Sequence, residues 1–182
     1  MRNADSAHEA ASGEANICHL PRALAAEWEK EINPAMASYG YPTFLNQISL
    51  LVVLDLLGEA NTTIPSRIQT THWAYRGMSA IEQRMRNLGL LESVPPSAFL
   101  NDTGRMASQF TEASIHDDHV PFMARGVPVM PVIPNSVRPA GASGADSGEN
   151  LDMSTVRDWV KIVTAFTYEW LDMMEVMSST IR

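Results

Sequence analysis

Cysteine is almost absent from this chain: Cys18 stands alone among 182 residues. One thiol can form neither an internal disulfide nor a multi-thiolate zinc site, which excludes a disulfide scaffold and a zinc finger. Basic residues are scarce as well. Thirteen Lys+Arg face 21 Asp+Glu, for a formal net charge of -8, and no stretch gathers Lys or Arg into a stripe that could track a phosphate backbone. Nucleic acid is therefore not an expected partner. The longest apolar run, Ile48 to Leu57, is broken by Ser49 and Asp55 and falls short of the roughly 20 residues that cross a bilayer. No membrane span is expected. Residues 1–20 lack the apolar core of a secretory leader, so the chain as written carries no export address.

What remains, 45% hydrophobic and 19% charged, is the composition of a folded soluble protein of about one domain. Arg22 to Glu31 (RALAAEWEKE) is built from strong helix formers after Pro21, and Asn33-Pro34 ends it. Ile48 to Leu54 (ISLLVVL) is continuously apolar, as in a strand buried on both faces, and Asp55 and Gly58 close it. His72 to Leu88 repeats apolar residues at helical spacing after a Thr70-Thr71 cap, with Gly89 at the left-handed C-terminal position. Residues 92–114 read as a long connection. Val127 to Ile133 (VPVMPVI) is a second strand, and its prolines place it at an edge or end. Residues 135–149 are small or polar and read as a flexible loop. A last helix runs from Ser154 to about Val176, capped by Asp152 or Ser154. Strands alternating with helices predict an α/β layered domain.

Two acidic positions stand out as candidates for chemistry. Asp55 ends a strand, where ligands bind in open α/β sheets; the plainer alternative is a carboxylate that caps the turn to Gly58. His116-Asp117-Asp118-His119 packs four potential ligands together, although successive side chains cannot all reach one ion, and a buried carboxylate sharing a proton with a partner is the better reading. Asn61-Thr62-Thr63 and Asn101-Asp102-Thr103 fit the glycosylation pattern, which matters only in a form that is exported.

The blocks ISLLVVLDLLGEANTTIP, THWAYRGMSAIEQRMRNLGLLES, IHDDHVPFMARGVPVM and ENLDMSTVRDWVKIVTAF, in that order, resemble the C-terminal half of the glutaminyl cyclases (glutaminyl-peptide cyclotransferases). These are similar to zinc-dependent aminopeptidases and peptide hydrolases. The resemblance implies a layered α/β/α fold with a mainly parallel sheet, here truncated, over residues 22–177, with residues 1–21 an unrelated disordered head. It implies a zinc ion and a substrate peptide with an N-terminal glutamine that closes to pyroglutamate. By resemblance Asp55 and Asp117 belong to the proton network and Ile115 to the substrate pocket wall, while His116 and His119 cease to be ligand candidates.

The departures are as informative. The family's upstream acidic ligands and its proton-shuttling glutamate have no counterpart here, and its histidine ligand column falls on Ala142, with Gly141 in place of the tryptophan beside it. No zinc ligand is therefore expected, nor activity from this chain alone. The altered stretch 131–148, of preserved length, suggests a shifted reading frame. A half-sheet would leave an unpaired edge in need of a covering partner. Two other readings stand beside a family enzyme: a non-catalytic binding module, and an unrelated metallohydrolase using His116 and His119. Family members are secreted or occupy the secretory pathway, which is what the resemblance implies for location.

Overall fold

The computed structural model describes residues 19–110, 118–134 and 151–173. In chain order the elements are α1 (His19–Lys30), α2 (Pro34–Ala37), β1 (Leu51–Leu54), α3 (His72–Asn87), α4 (Val120–Met123), β2 (Val129–Val132) and α5 (Met153–Trp170). No helix among the described residues is long and apolar enough to cross a membrane. The expected head 1–21 lies outside the described residues up to position 18, and α1 starts at His19, inside that stretch. The expected loop 135–149 also lies outside them.

The chain divides into two compact units, residues 1–52 with 111–129, and residues 53–110 with 130–182. In the first, α1 ends before Asn33, whose Oδ1 accepts the Ala35 amide at 3.2 Å and caps α2, with Pro34 at its first position. The core joins Ala25, Leu45, Phe122 and Val127, flanked by Trp28, Ile48 and Leu51. Trp28 meets Phe122 edge-on at 6.0 Å, a favoured aromatic arrangement. Arg125 ties α1 to the turn after α4, donating to Glu29 at 2.9 Å and to the Pro121 carbonyl at 2.8 Å.

In the second unit α3 packs on α5. Ala74, Tyr75, Met78 and Ile81 recur at three and four residues on the buried face of α3, as do Trp159, Ile162 and Phe166 on α5. Gly89 (φ +67) closes α3 as its sequence position predicts. Its amide reaches Arg86 O and the Leu90 amide reaches Met85 O, the paired bonds of a left-handed helix end. Thr71 does not cap α3 with its side chain, contrary to expectation, because residues 69–71 form a 3-10 turn that leads directly into the helix. Asp152 does cap α5, accepting the Ser154 amide at 3.0 Å. The helix stops at Trp170, earlier than the sequence suggests, and Asp172 adopts φ +52; the expected end near Val176 lies outside the described residues.

β1 and β2 form a two-stranded parallel pair, with the Leu51 amide on Pro128 O at 2.8 Å and the Asp55 amide on Val132 O at 3.3 Å. One expectation changes here and one holds. β1 is not buried on both faces: Leu51, Val52 and Val53 are half-buried and Leu54 is 46% exposed. β2 is an edge of this pair, as the prolines suggested, yet it is buried at all four positions. Pro131, the one proline within β2, is accommodated because ladder amides alternate along a strand. Residues 130 and 132 address β1, so the amide that Pro131 lacks belongs to the opposite edge.

Candidate functional site

Asp55 sits directly beyond β1, its amide on Val132 O, and its side chain is exposed. The structure thus places it at the carboxyl end of the parallel pair, as read from the sequence. It is not a buried carboxylate, because the chain turns away at once through Leu56 in a left-handed conformation (φ 54). Gly58 is a packing point. Its carbonyl accepts the Asp152 amide at 2.9 Å, and the Leu151 side chain occupies the space a β-carbon would need.

The next two carbonyls of the β2 exit are held by a residue the sequence reading missed. The Arg67 guanidinium donates to Ile133 O at 3.2 Å and Pro134 O at 2.9 Å. Burial first, and then the neighbouring Arg105, lower its pKa from the ordinary arginine value. Consecutive carbonyls 132, 133 and 134 are therefore taken by the Asp55 backbone and the Arg67 side chain, which fixes the strand ends beside Asp55.

Arg67 belongs to a polar staple. Ser66, 2% exposed, gives its amide to Asp102 at 3.1 Å and accepts Arg105 on its carbonyl at 2.8 Å. Its Oγ lies 2.8 Å from His72 Nδ1, while His72 Nε2 lies 3.2 Å from the Thr103 carbonyl. A carbonyl only accepts, so Nε2 carries a proton, and in the neutral ring Ser66 donates to Nδ1. A serine on a histidine is the pattern of an activated nucleophile. Here the hydroxyl is enclosed and every polar group of Ser66 is bound, so the pair joins chain segments. Tyr75 completes the staple, donating to Ile64 O at 2.6 Å and accepting the Asp102 amide at 3.0 Å; burial pushes its phenol up to about 12.

Of residues 92–114, read as a long connection, the stretch 92–100 is fastened by two fully buried carboxylates. Glu82 accepts the Phe99 and Leu100 amides at 2.8 and 2.9 Å and pairs with Arg86 at 2.7 Å. Asp158 accepts the Glu92 and Ser93 amides, each at 2.8 Å, and the Ser93 hydroxyl at 2.5 Å. Their positions on the buried stripes of α3 and α5 were the available signal.

Ile115, His116 and Asp117 lie outside the described residues, as do Gly141 and Ala142. Of the HDDH run the structure describes Asp118, which is exposed, and His119, which is 1% exposed at the start of α4. Asp55 belongs to the second unit and these two to the first. Among the described residues no three or more His, Cys, Asp or Glu side chains gather where they could hold a metal ion. The described residues thus do not fit zinc. A cleft of about 400 Å³ in the first unit is lined by Met36, Tyr41, Leu45, Ile48, Arg125 and Val127 among others. A smaller one of about 270 Å³ in the second is lined by Arg86, Leu91, Ser93, Val94 and Pro95. Neither includes a residue singled out from the sequence.

No protein-family model matches the chain. It is 32% identical over 153 residues to a glutaminyl-peptide cyclotransferase of Gloydius blomhoffii, covering 84% of this chain and 39% of the relative. It is 35% identical over 130 residues to a glutaminyl-peptide cyclotransferase-like protein of Bos taurus, covering 71% and 32%. The crystal structure of Macrostomum lignano glutaminyl cyclase superposes with a TM-score of 0.70 at 28% identity, over 84% of this chain and 47% of that one. The α/β architecture with a parallel sheet is that of this solved relative, although the chain spans less than half the length of the proteins it matches. Over the stretch it shares with them, this chain is homologous to the glutaminyl-peptide cyclotransferases.

Proposed function

We propose that this chain supplies part of the site of a glutaminyl-peptide cyclotransferase, and that as 182 residues it does not complete the reaction by itself. The observation that carries the first half is the 32% and 35% identity to proteins of that name, over most of this chain. In the reaction the α-amine of an N-terminal glutamine attacks its own γ-carbonyl carbon. The new C–N bond closes the ring, the bond to the side-chain nitrogen breaks, and ammonia leaves with the proton that the α-amine gives up. A group that takes and returns that proton is required.

Asp55 is the described residue suited to that surroundings: an exposed carboxylate at the strand ends, beside carbonyls that Arg67 immobilises. Its role is to hold the amine or the departing nitrogen by a charge-assisted hydrogen bond. Asp117 is its proposed partner in the proton network and Ile115 a wall for the glutamine side chain. Zinc in the family would polarise the γ-carbonyl. The described residues offer no cluster for it and the histidine column falls on Ala142, so no step is assigned through the metal. The proposed inactivity is supported by Ala142 standing in the histidine column. A retained fold without that histidine also supports the second reading, a binding module for peptides with N-terminal glutamine.

The test uses the purified chain with a glutamine-initiated peptide, following loss of ammonia by mass spectrometry, and zinc content by elemental analysis. The expected result is no turnover above the uncatalysed background and no stoichiometric zinc. Turnover abolished by a chelator would overturn the proposed inactivity. Binding of the glutamine peptide but not its glutamate counterpart, lost in Asp55→Ala, supports the partial site; equal binding of both refutes it.

A further inference from the structure

No residue assigned to cyclotransfer lines the larger cleft. At about 400 Å³ it has the size of a small-ligand site, and every residue that lines it belongs to the first unit. The lining comes from α2 and the turn after it, from the chain just before β1, and from the chain just before β2. Leu45 and Val127 are buried, Met36 and Ile48 half-buried, and Tyr41 exposed, so the walls grade from core to solvent.

Arg125 is the one charged side chain of that lining, and no carboxylate shares it, although the chain as a whole carries a net charge of -8. Its place is fixed by the turn that closes α4. The Arg125 and Gly126 amides donate to Phe122 O and Met123 O, each at 3.0 Å, and the Val127 amide donates to Phe122 O at 3.2 Å, with Gly126 at φ +86. The guanidinium is fixed as well, through Nε on Glu29 and Nη1 on the Pro121 carbonyl. Nη2 makes no hydrogen bond among the described residues. Glu29 is 54% exposed and stands outside the lining, so water and salt screen its charge. A preorganised guanidinium with a donor to spare, set among apolar walls, matches a carboxylate carried on a hydrophobic body.

We infer that this cleft binds a small apolar carboxylic acid, with the carboxylate on Arg125 and an aromatic or branched body against Met36, Tyr41 and Ile48. Little ordering is left for the moment of binding, because the arginine is already held at two nitrogens. The site shares no residue with the proposed cyclotransfer machinery, so the two readings stand or fall separately.

The full 182-residue chain is titrated by calorimetry at neutral pH with 3-phenylpropionate. The expected result is saturable binding with a dissociation constant on the order of 1 mM, as suits so small a ligand. The uncharged amide of the same shape binds about tenfold more weakly or worse, and acetate, which has the charge without the body, does not saturate. Arg125→Met abolishes binding. Met36→Trp fills the cleft while leaving Arg125 with Glu29 and Pro121, and it abolishes binding too. Glu29→Gln removes the competing carboxylate and tightens binding severalfold. Equal affinity for acid and amide overturns the assignment, as does a folded Met36→Trp that binds like wild type. A peptide ending in a free leucine carboxylate that binds more tightly than 3-phenylpropionate overturns the commitment to a small acid.

Discussion

Replacing Glu82 with glutamine preserves its volume and removes its charge. In the native chain one carboxylate oxygen receives the Phe99 amide at 2.8 Å together with Arg86, and the other receives the Leu100 amide at 2.9 Å, all with no exposure of Glu82. A glutamine retains one acceptor and turns an NH₂ group toward a donor. One buried amide is orphaned and Arg86 loses its counter-charge. Hydrogen bonds to charged groups contribute about 1.5–3 kcal/mol each, and an unsatisfied buried donor costs about 1–3 kcal/mol. Breaking a buried ion pair from one side costs about 3–5 kcal/mol. Since Arg86 keeps some access to water, its side chain being 20% exposed, about 2–4 kcal/mol is the expected loss for Glu82→Gln. For a chain of this size that lowers the midpoint by roughly 2–4 °C per kcal/mol. Calorimetry supplies the stability, and hydrogen exchange at Phe99 and Leu100 supplies the location. The double variant Glu82→Gln, Arg86→Met should be less destabilised than the two single losses summed, since no cation is left unpaired. A loss under about 0.5 kcal/mol, well below the cost of one buried unsatisfied donor, with both amides still protected, would refute the assignment of this carboxylate as the fastening of residues 99–100.

Three smaller perturbations test other features. Tyr75→Phe removes the donor to Ile64 O and the acceptor for Asp102, and should cost about 1–2 kcal/mol by denaturant titration. Because the folded phenol is pushed up to about 12 from its ordinary 10, its contribution is complete below the unfolded value and is lost as pH rises between the two. A tyrosine absorbance titration of wild type against this variant should show the late-ionising phenol disappear. Asp152 is held below the ordinary aspartate range first by the Ser154 hydroxyl and then by that of Thr155. Its stabilisation is present above the unfolded pKa and fades as pH falls through the folded one, so Asp152→Asn should flatten the acid limb of a melting-temperature profile; an unchanged limb would show that the cap carries no charge-dependent stabilisation. Gly89→Ala forces a β-carbon into φ +67 and should cost about 1–2 kcal/mol, while an equal melting point would mean that the helix end relaxes without strain.

The three long helices, α1, α3 and α5, were legible because their causes are local. The Gly89 ending and the Asp152 cap depend on residues a few positions apart, and the stripe of α3 repeats within one element. The relative burial of the strands was not, since ISLLVVL and VPVMPVI carry no record of which neighbour covers them; the proline-bearing one proved the more enclosed. The placement of Asp55 at a strand end was readable from the switch between apolar run and turn. Arg67 was not. Its partners are carbonyls 66 and 67 residues away, and main-chain oxygens leave no trace in side-chain patterns. The same holds for Glu82 and Asp158, whose acceptors serve amides brought near only by folding.

The proline in β2 and the arginine at its exit have a joint consequence for how the sheet can be enlarged. Along the outer margin of β2, Pro131 has no proton to offer and the Ile133 oxygen is already taken by Arg67. The outer margin of β1, where Val52 and Leu54 face away from β2, has neither obstruction. Among the described residues the pair is consequently polarised: the outer margin of β2 offers a further strand fewer main-chain partners than that of β1.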